Sequence, residues 1–173
     1  MENRGDAERE GIVTGRMGIV LVVAAALAVP QAWAAKRGGE SRSVERGRYL
    51  TQIAGCNDCH TPGYLMSGGK VPEKQWLTGD AFGWNGPWGT TYASNLRLYM
   101  QGLSESDWLK VARHRELRPP MPVPTLRAMS DADLLALYRY IRFLGPAGEP
   151  APAYQPPGEP PRGPAAVFPA PPK

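Results

Sequence analysis

The chain has 173 residues, 42% of them apolar and 21% charged, with 20 glycines, 19 prolines and a formal charge of +4. Those totals describe a globular protein with irregular ends, sized for one compact domain. The charge is modest and scattered, and no run of Lys and Arg is interleaved with aromatics, which excludes a nucleic-acid-binding surface.

In chain order the first expected element is an export signal over residues 1–34. Met17 to Val29 is an apolar run with Arg16 before it and Ala32-Trp33-Ala34 behind it, the basic flank, apolar centre and small-x-small site of a secretory signal. Cleavage is expected after Ala34, although Glu2, Asp6, Glu8 and Glu10 outweigh Arg4, Arg9 and Arg16 in the leading stretch. Removing the segment lowers the basic count from 20 to 17 and the acidic count from 16 to 12, a formal charge of +5 suited to an acidic partner face. The alternative is an uncleaved membrane anchor, against which the run falls short of the ~20 residues of a spanning helix.

A polar, glycine-containing tether is expected over 35–42. A helix then starts at Ser43 as N-cap, with Val44, Gly47, Leu50, Ile53 and Ala54 on one face. Thr61 to Gly102 holds Trp76, Phe82, Trp84, Trp88 and Tyr92 without sustained period, and reads as an ordered loop packed around something large and apolar. Ser104-Glu105-Ser106-Asp107 opens a helix whose apolar side is Trp108, Val111 and Ala112. Pro119, Pro120, Pro122 and Pro124 then forbid helix. A last helix starts at Ser130 and buries Leu134, Leu137, Tyr138, Ile141 and Leu144 until Gly145-Pro146 stops it. From Pro146 there are eleven prolines in 28 residues, so the tail is expected to be a disordered, extended chain, or else a spacer or docking strap with Tyr154 and Phe168 as its aromatic handles.

The two cysteines stand three apart with a histidine directly after the second, in Cys56-Asn57-Asp58-Cys59-His60. That is the spacing of c-type haem attachment. Positions i, i+3 and i+4 share one helical face, so both thiols can reach haem vinyl groups while His60 points at the iron. A thioredoxin-like pair would want a βαβ setting, a zinc site would want four ligands, and a plain disulfide would fit an oxidising compartment. The readings are weighed in favour of haem because the motif, the export signal and the aromatic middle agree.

A haem iron that only carries electrons needs a second protein ligand, commonly methionine. Met1 and Met17 leave with the signal, Met66 is close to the motif and Met129 precedes a helix cap. Met121, between Pro120 and Pro122, sits on a stiff loop and is the expected distal ligand, with Met100 and His114 as alternatives.

The residues resemble the class I c-type cytochromes from about Val44 to Gly145. The likeness rests on Arg46-Gly47-Arg48-Tyr49-Leu50 before the motif, Gly89-Thr90-Thr91-Tyr92-Ala93-Ser94-Asn95, Pro120-Met121-Pro122 and Leu134-Leu135-Ala136-Leu137-Tyr138-Arg139-Tyr140-Ile141. The second and third stretches are similar to cytochrome subunits that take electrons from periplasmic alcohol and aldehyde dehydrogenases, which often carry several haem motifs where this chain has one. The resemblance implies an all-α fold over 43–145, three main helices and long loops around one haem, with disordered termini. It implies that the first and last helices cross at Gly47 and Tyr140, and that a carbonyl after the motif, of Pro62 or Pro72, orients His60. Trp84, Trp88, Tyr92, Asn95 and Arg97 are candidate haem-pocket donors, for which plain packing is the competing account.

The function expected is a periplasmic electron carrier with one covalent haem c, iron-ligated by His60 and Met121, that docks on redox proteins such as a donor dehydrogenase or an acceptor oxidase or cytochrome. It would not be an enzyme in its own right. The competing function is a haem-dependent enzyme component or gas-binding sensor with a labile sixth position, and a third is a haem-free disulfide module.

Overall fold

The computed structural model describes residues 38–169. The expected export segment 1–34, with Met1, Met17 and the cleavage site after Ala34, lies outside the described residues. Contacts divide the chain into Met1–Glu40, of which only the helical residues 38–40 are described, and Ser41–Lys173, which holds the other described residues. The second unit is mostly helical and carries a small three-stranded sheet, so it is not all-α. Among the described residues no helix is long and apolar enough to cross a membrane.

Helix α1 covers 38–53, so helix replaces the tether expected over 38–42. Ser43 is not its cap; its hydroxyl instead accepts from Arg139 at 3.2 Å. Once a turn is formed each added residue gains a hydrogen bond, and the polar residues before Ser43 extend the helix on that basis. Gly47 and Leu50 are buried as expected, whereas Ile53 is 60% exposed. Helix α2, Cys56–His60, follows after Gly55 turns the chain at φ 70°, a conformation glycine adopts without a Cβ penalty.

Residues 61–102 hold more regular structure than an ordered loop. They contain a hairpin of β1, Gly83–Gly86, and β2, Gly89–Tyr92, the short helix α3, Leu96–Tyr99, and two 3-10 turns, Glu73–Gln75 and Met100–Gly102. Helix α4, Glu105–His114, begins where the Ser104 hydroxyl accepts from the Asp107 amide, and it buries Trp108 and Ala112. The proline stretch is expected to forbid helix, yet α5 runs from Val123 to Ala128 with Pro124 in its first turn. Proline is tolerated there because its missing N–H would have had no partner in any case. Helix α6, Asp131–Leu144, is capped by Ser130 and ends at Gly145 with φ 70°. It buries Leu134, Leu137, Tyr138 and Ile141, leaves Leu144 partly buried, and adds Ala136 and Tyr140.

Two contacts hold these helices. A Cβ at Gly47 would lie 2.6 Å from the Tyr140 Cβ and closer still to the Ala136 carbonyl, so α1 and α6 cross where only glycine fits, as the resemblance implied. Helix α4 meets α6 through the buried Trp108, whose indole N–H donates to the Leu134 carbonyl at 2.7 Å.

The tail is the largest departure from expectation. Its segment β3, Ala165–Val167, pairs parallel with β1, Gly83 facing Ala165 and Asn85 facing Val167, which gives strand order β2-β1-β3. Gln155 is 2% exposed and exchanges both backbone hydrogen bonds with Thr90. Its side chain accepts from the Tyr92 hydroxyl at 2.7 Å and from the Arg162 amide, and donates to the Pro160 carbonyl. The chain is extended, as proline dictates, but it is docked: proline lacks a donor yet keeps its carbonyl, and the non-proline residues between supply the pairing.

Candidate haem-attachment site

Helix α2 is a single turn that presents Cys56, Cys59 and His60 together. Both thiols are free and partly buried. Burial pushes the Cys56 thiol up to about 11 and raises that of Cys59, with Asp58 adding to both. Protonated thiols are the opposite of the low-pKa thiolate of a thioredoxin-like pair. Asn57 points inward, where its Oδ1 accepts from the Thr61 hydroxyl at 2.8 Å, and Thr61 Oγ1 in turn accepts from the Leu77 amide at 2.8 Å.

His60 is 8% exposed, and its Nδ1 lies 2.8 Å from the Ser94 carbonyl oxygen. A carbonyl only accepts, so Nδ1 carries the proton and Nε2 keeps the lone pair that a metal needs. Burial lowers the imidazole's proton affinity, and the Ser94 carbonyl offsets part of that. The orienting carbonyl thus belongs to Ser94, not to Pro62 or Pro72. The Pro72 carbonyl is taken by the Gln75 amide in a 3-10 turn, and Pro62 is exposed. The His60 carbonyl accepts from Gly79 at 2.9 Å. Gly79 has φ +80°, and a Cβ there would stand 2.7 Å from the Asn95 amide nitrogen, so residues 77–80 and 93–95 lie against each other behind the histidine.

Met121 is partly buried and packs against the main apolar cluster, which Cys56 also touches. Its backbone is closed on both sides. The Met121 amide donates to the Arg118 carbonyl at 3.2 Å across a cis Pro119–Pro120 bond, a type VI turn. Val123 donates to the Met121 carbonyl at 2.8 Å around Pro122 at φ −78°, ψ 74°, an inverse γ-turn. Of the alternatives, Met100 is fully buried in the core and His114 is exposed at the end of α4. Met66 is 93% exposed, and Met129 caps the end of α5.

The five candidate pocket donors are spread over the sheet and its margin. Tyr92 binds Gln155, and Asn95 caps α3 while donating to the Ala147 and Glu149 carbonyls. Arg97 donates to the Lys74 and Gly145 carbonyls and to that of Leu144. Trp84 and Trp88 pack on Phe168 with ring centroids 6.2 and 5.3 Å apart. In this arrangement the five hold the tail and the end of α6 to the body.

The donor set fits a c-type haem: two protonated thiols and an imidazole on one turn, and a neutral thioether on a stiff loop. The end of α1 and α5 line an open, mainly apolar groove of about 420 Å³ with Leu50, Ile53, Ala54, Thr125, Ala128 and Met129, a lining that includes none of the four donors. No three His, Cys, Asp or Glu side chains gather as a metal-binding group among the described residues. Sequence reasoning missed Ser94, Gly79 and Thr61, which act through backbone atoms or a small hydroxyl.

No family model and no solved structure matches the chain. Among curated proteins it is similar to a nicotinate dehydrogenase subunit of Pseudomonas putida, 29% identical over an alignment 129 residues long that covers 65% of this chain and 9% of that protein. It is also 29% identical over 124 residues to the fructose dehydrogenase cytochrome subunit of Gluconobacter japonicus, covering 65% of this chain and 24% of that one. The chain therefore spans from about a tenth to a quarter of the length of these relatives.

Proposed function

We propose that the chain is an exported electron-transfer protein that carries one haem covalently through Cys56 and Cys59, with His60 and Met121 as axial ligands, and serves a dehydrogenase-type redox partner. The observation that carries this reading is the His60 ring, whose Nδ1 is fixed on the Ser94 carbonyl beside two thiols on the same turn. The dehydrogenase and cytochrome subunits to which the chain is similar support the choice of partner. The apolar run Met17–Val29 supports export to the periplasm.

Bound haem would supply a one-electron couple, whose potential and access the protein tunes. The chain's own contributions are positional. Ser94 and Gly79 hold the histidine from behind, so its ring does not swing as charge changes at Nε2. The two turns around Met121 preset a soft neutral ligand.

The test is expression with the machinery for c-type haem attachment, followed by acid extraction and visible spectra of wild type and Met121→Leu. Expected is haem that stays with the polypeptide, a weak long-wavelength band of sulfur-to-iron ligation in the oxidised wild type, and its loss with gain of carbon monoxide binding in the variant. Haem that washes out would sink covalent attachment. Ready carbon monoxide binding by the wild type, unchanged in the variant, would make the protein a sensor or haem enzyme instead.

A further inference from the structure

The Met121 loop touches the docked tail at one place. Arg118, whose carbonyl closes the turn on Met121, lays its guanidinium over the Tyr154 ring with the Arg118 Cζ 3.9 Å from the ring centroid. The other cation–ring contacts in the described residues stand at 5.5 to 6.0 Å, so this one is stacked closely. Tyr154 is itself held from both ends. Its hydroxyl donates to the Trp88 carbonyl at 2.8 Å, and the next residue is the buried Gln155. Gly89, at φ +94°, lets the tail approach so closely that a Cβ there would meet Pro156 at 2.9 Å and the Gln155 carbonyl nearer still.

These contacts form one chain from the sheet through residues 154–155 to Arg118 and on to the Met121 amide. The turns fix the shape of the loop, and Met121 packs its inner side on the main apolar cluster. Pro119, Pro122 and Pro124 on its outer side are exposed, so the Arg118 stack is what ties that side to the tail. We infer that Tyr154 and Arg118 are positioning residues for Met121: the tail clamps the loop that offers the thioether, and so sets how readily Met121 leaves its partner atom. The inference rests on the reading of Met121 as the distal ligand. Exchange with an outside base breaks the sulfur–iron bond and forms a nitrogen–iron bond, with no change in oxidation state. A clamp that resists loop displacement slows that exchange.

The experiment mixes oxidised, haem-loaded protein with imidazole and follows the rate of its binding. Tyr154→Leu and Arg118→Gln should each speed binding about 2- to 5-fold, the ratio that the loss of an exposed cation–π contact gives. The double variant should be no faster than either alone, because both remove one contact. Tyr154→Phe keeps the ring and should restore most of the wild-type rate, which a merely structural role in fold stability would not produce. Denaturant midpoints of the same proteins separate the two effects. Met121→Leu decides the premise. If it leaves the rate unchanged, the ligand assignment falls and takes the clamp with it. If Met121→Leu accelerates binding while the clamp variants bind at the wild-type rate, or if the two single effects simply add, the clamp alone is wrong.

Discussion

Around His60 the holding bonds come from far along the chain. The Leu77 amide reaches Thr61 across 16 positions and the Ser94 carbonyl reaches the imidazole across 34, both in buried or part-buried surroundings. Around Met121 the closing bonds span three residues and two, and the contacts from farther along the chain are apolar packing on the main cluster and the Arg118 stack on Tyr154. The histidine side is therefore built into the core, and disturbing it disturbs the fold. The methionine side is shaped locally and can be altered while the rest stays folded.

The contrast breaks most clearly at Gly47, where α1, which delivers the motif, crosses α6. Gly47→Leu would force a side chain into the Ala136 carbonyl and Tyr140, and a loss of about 3 kcal/mol or more in chemical denaturation is expected. A variant that unfolds at the wild-type denaturant concentration would mean the crossing is not tight. Gly79→Ala is next, at about 2 kcal/mol, because it adds a Cβ at positive φ and pushes on residues 93–95. Stability retained with an unshifted His60 ring resonance would show that the two loops behind the histidine are independent of it.

Gln155→Leu should cost about 1–2 kcal/mol, since the Tyr92 hydroxyl, the Arg162 amide and the Pro160 carbonyl lose their shared partner. Amide hydrogen exchange over 155–167 should rise with it, and equal protection would deny that this side chain docks the tail. Met121→Leu conserves volume and should change stability by less than about 1.5 kcal/mol, in contrast with the histidine side. A larger loss would place Met121 among the fold's structural residues.

The smallest effect is a pH dependence. A hydrogen bond from Arg46 holds the Asp133 carboxyl below the usual aspartate range. The stabilisation is full above the unfolded-state value and fades as pH falls through the lowered folded-state value. Arg46→Ala should flatten that part of the acid limb of the stability curve. An unchanged acid limb would show that the exposed pair contributes nothing.

The helical part of this fold was legible because its signals are local: Ser104 and Ser130 accept from the amides three residues on, and the stripe from Leu134 to Ile141 repeats at helical steps. Gly47 and Tyr140 could be paired because a family likeness suggested it. The sheet was not legible. Gly83–Gly86 and Gly89–Tyr92 show no clean alternation of apolar and polar residues, and the third strand lies about eighty residues away in a stretch whose prolines suggested disorder. At the site, the spacing of Cys56, Cys59 and His60 predicted that they share one helical face, and the structure places all three on one turn. Ser94 was not, because a backbone carbonyl has no side-chain signature and its position depends on how residues 93–95 pack on Gly79.

The pairing of β3 with β1 has a consequence in time. A ribosome adding about 5–20 residues per second makes Val167 on the order of ten seconds after His60. During that interval β1 has a partner on one side only and presents an open edge on the other. The sheet can therefore be completed only after the cysteine turn and the hairpin have both been made, whatever folds in the meantime.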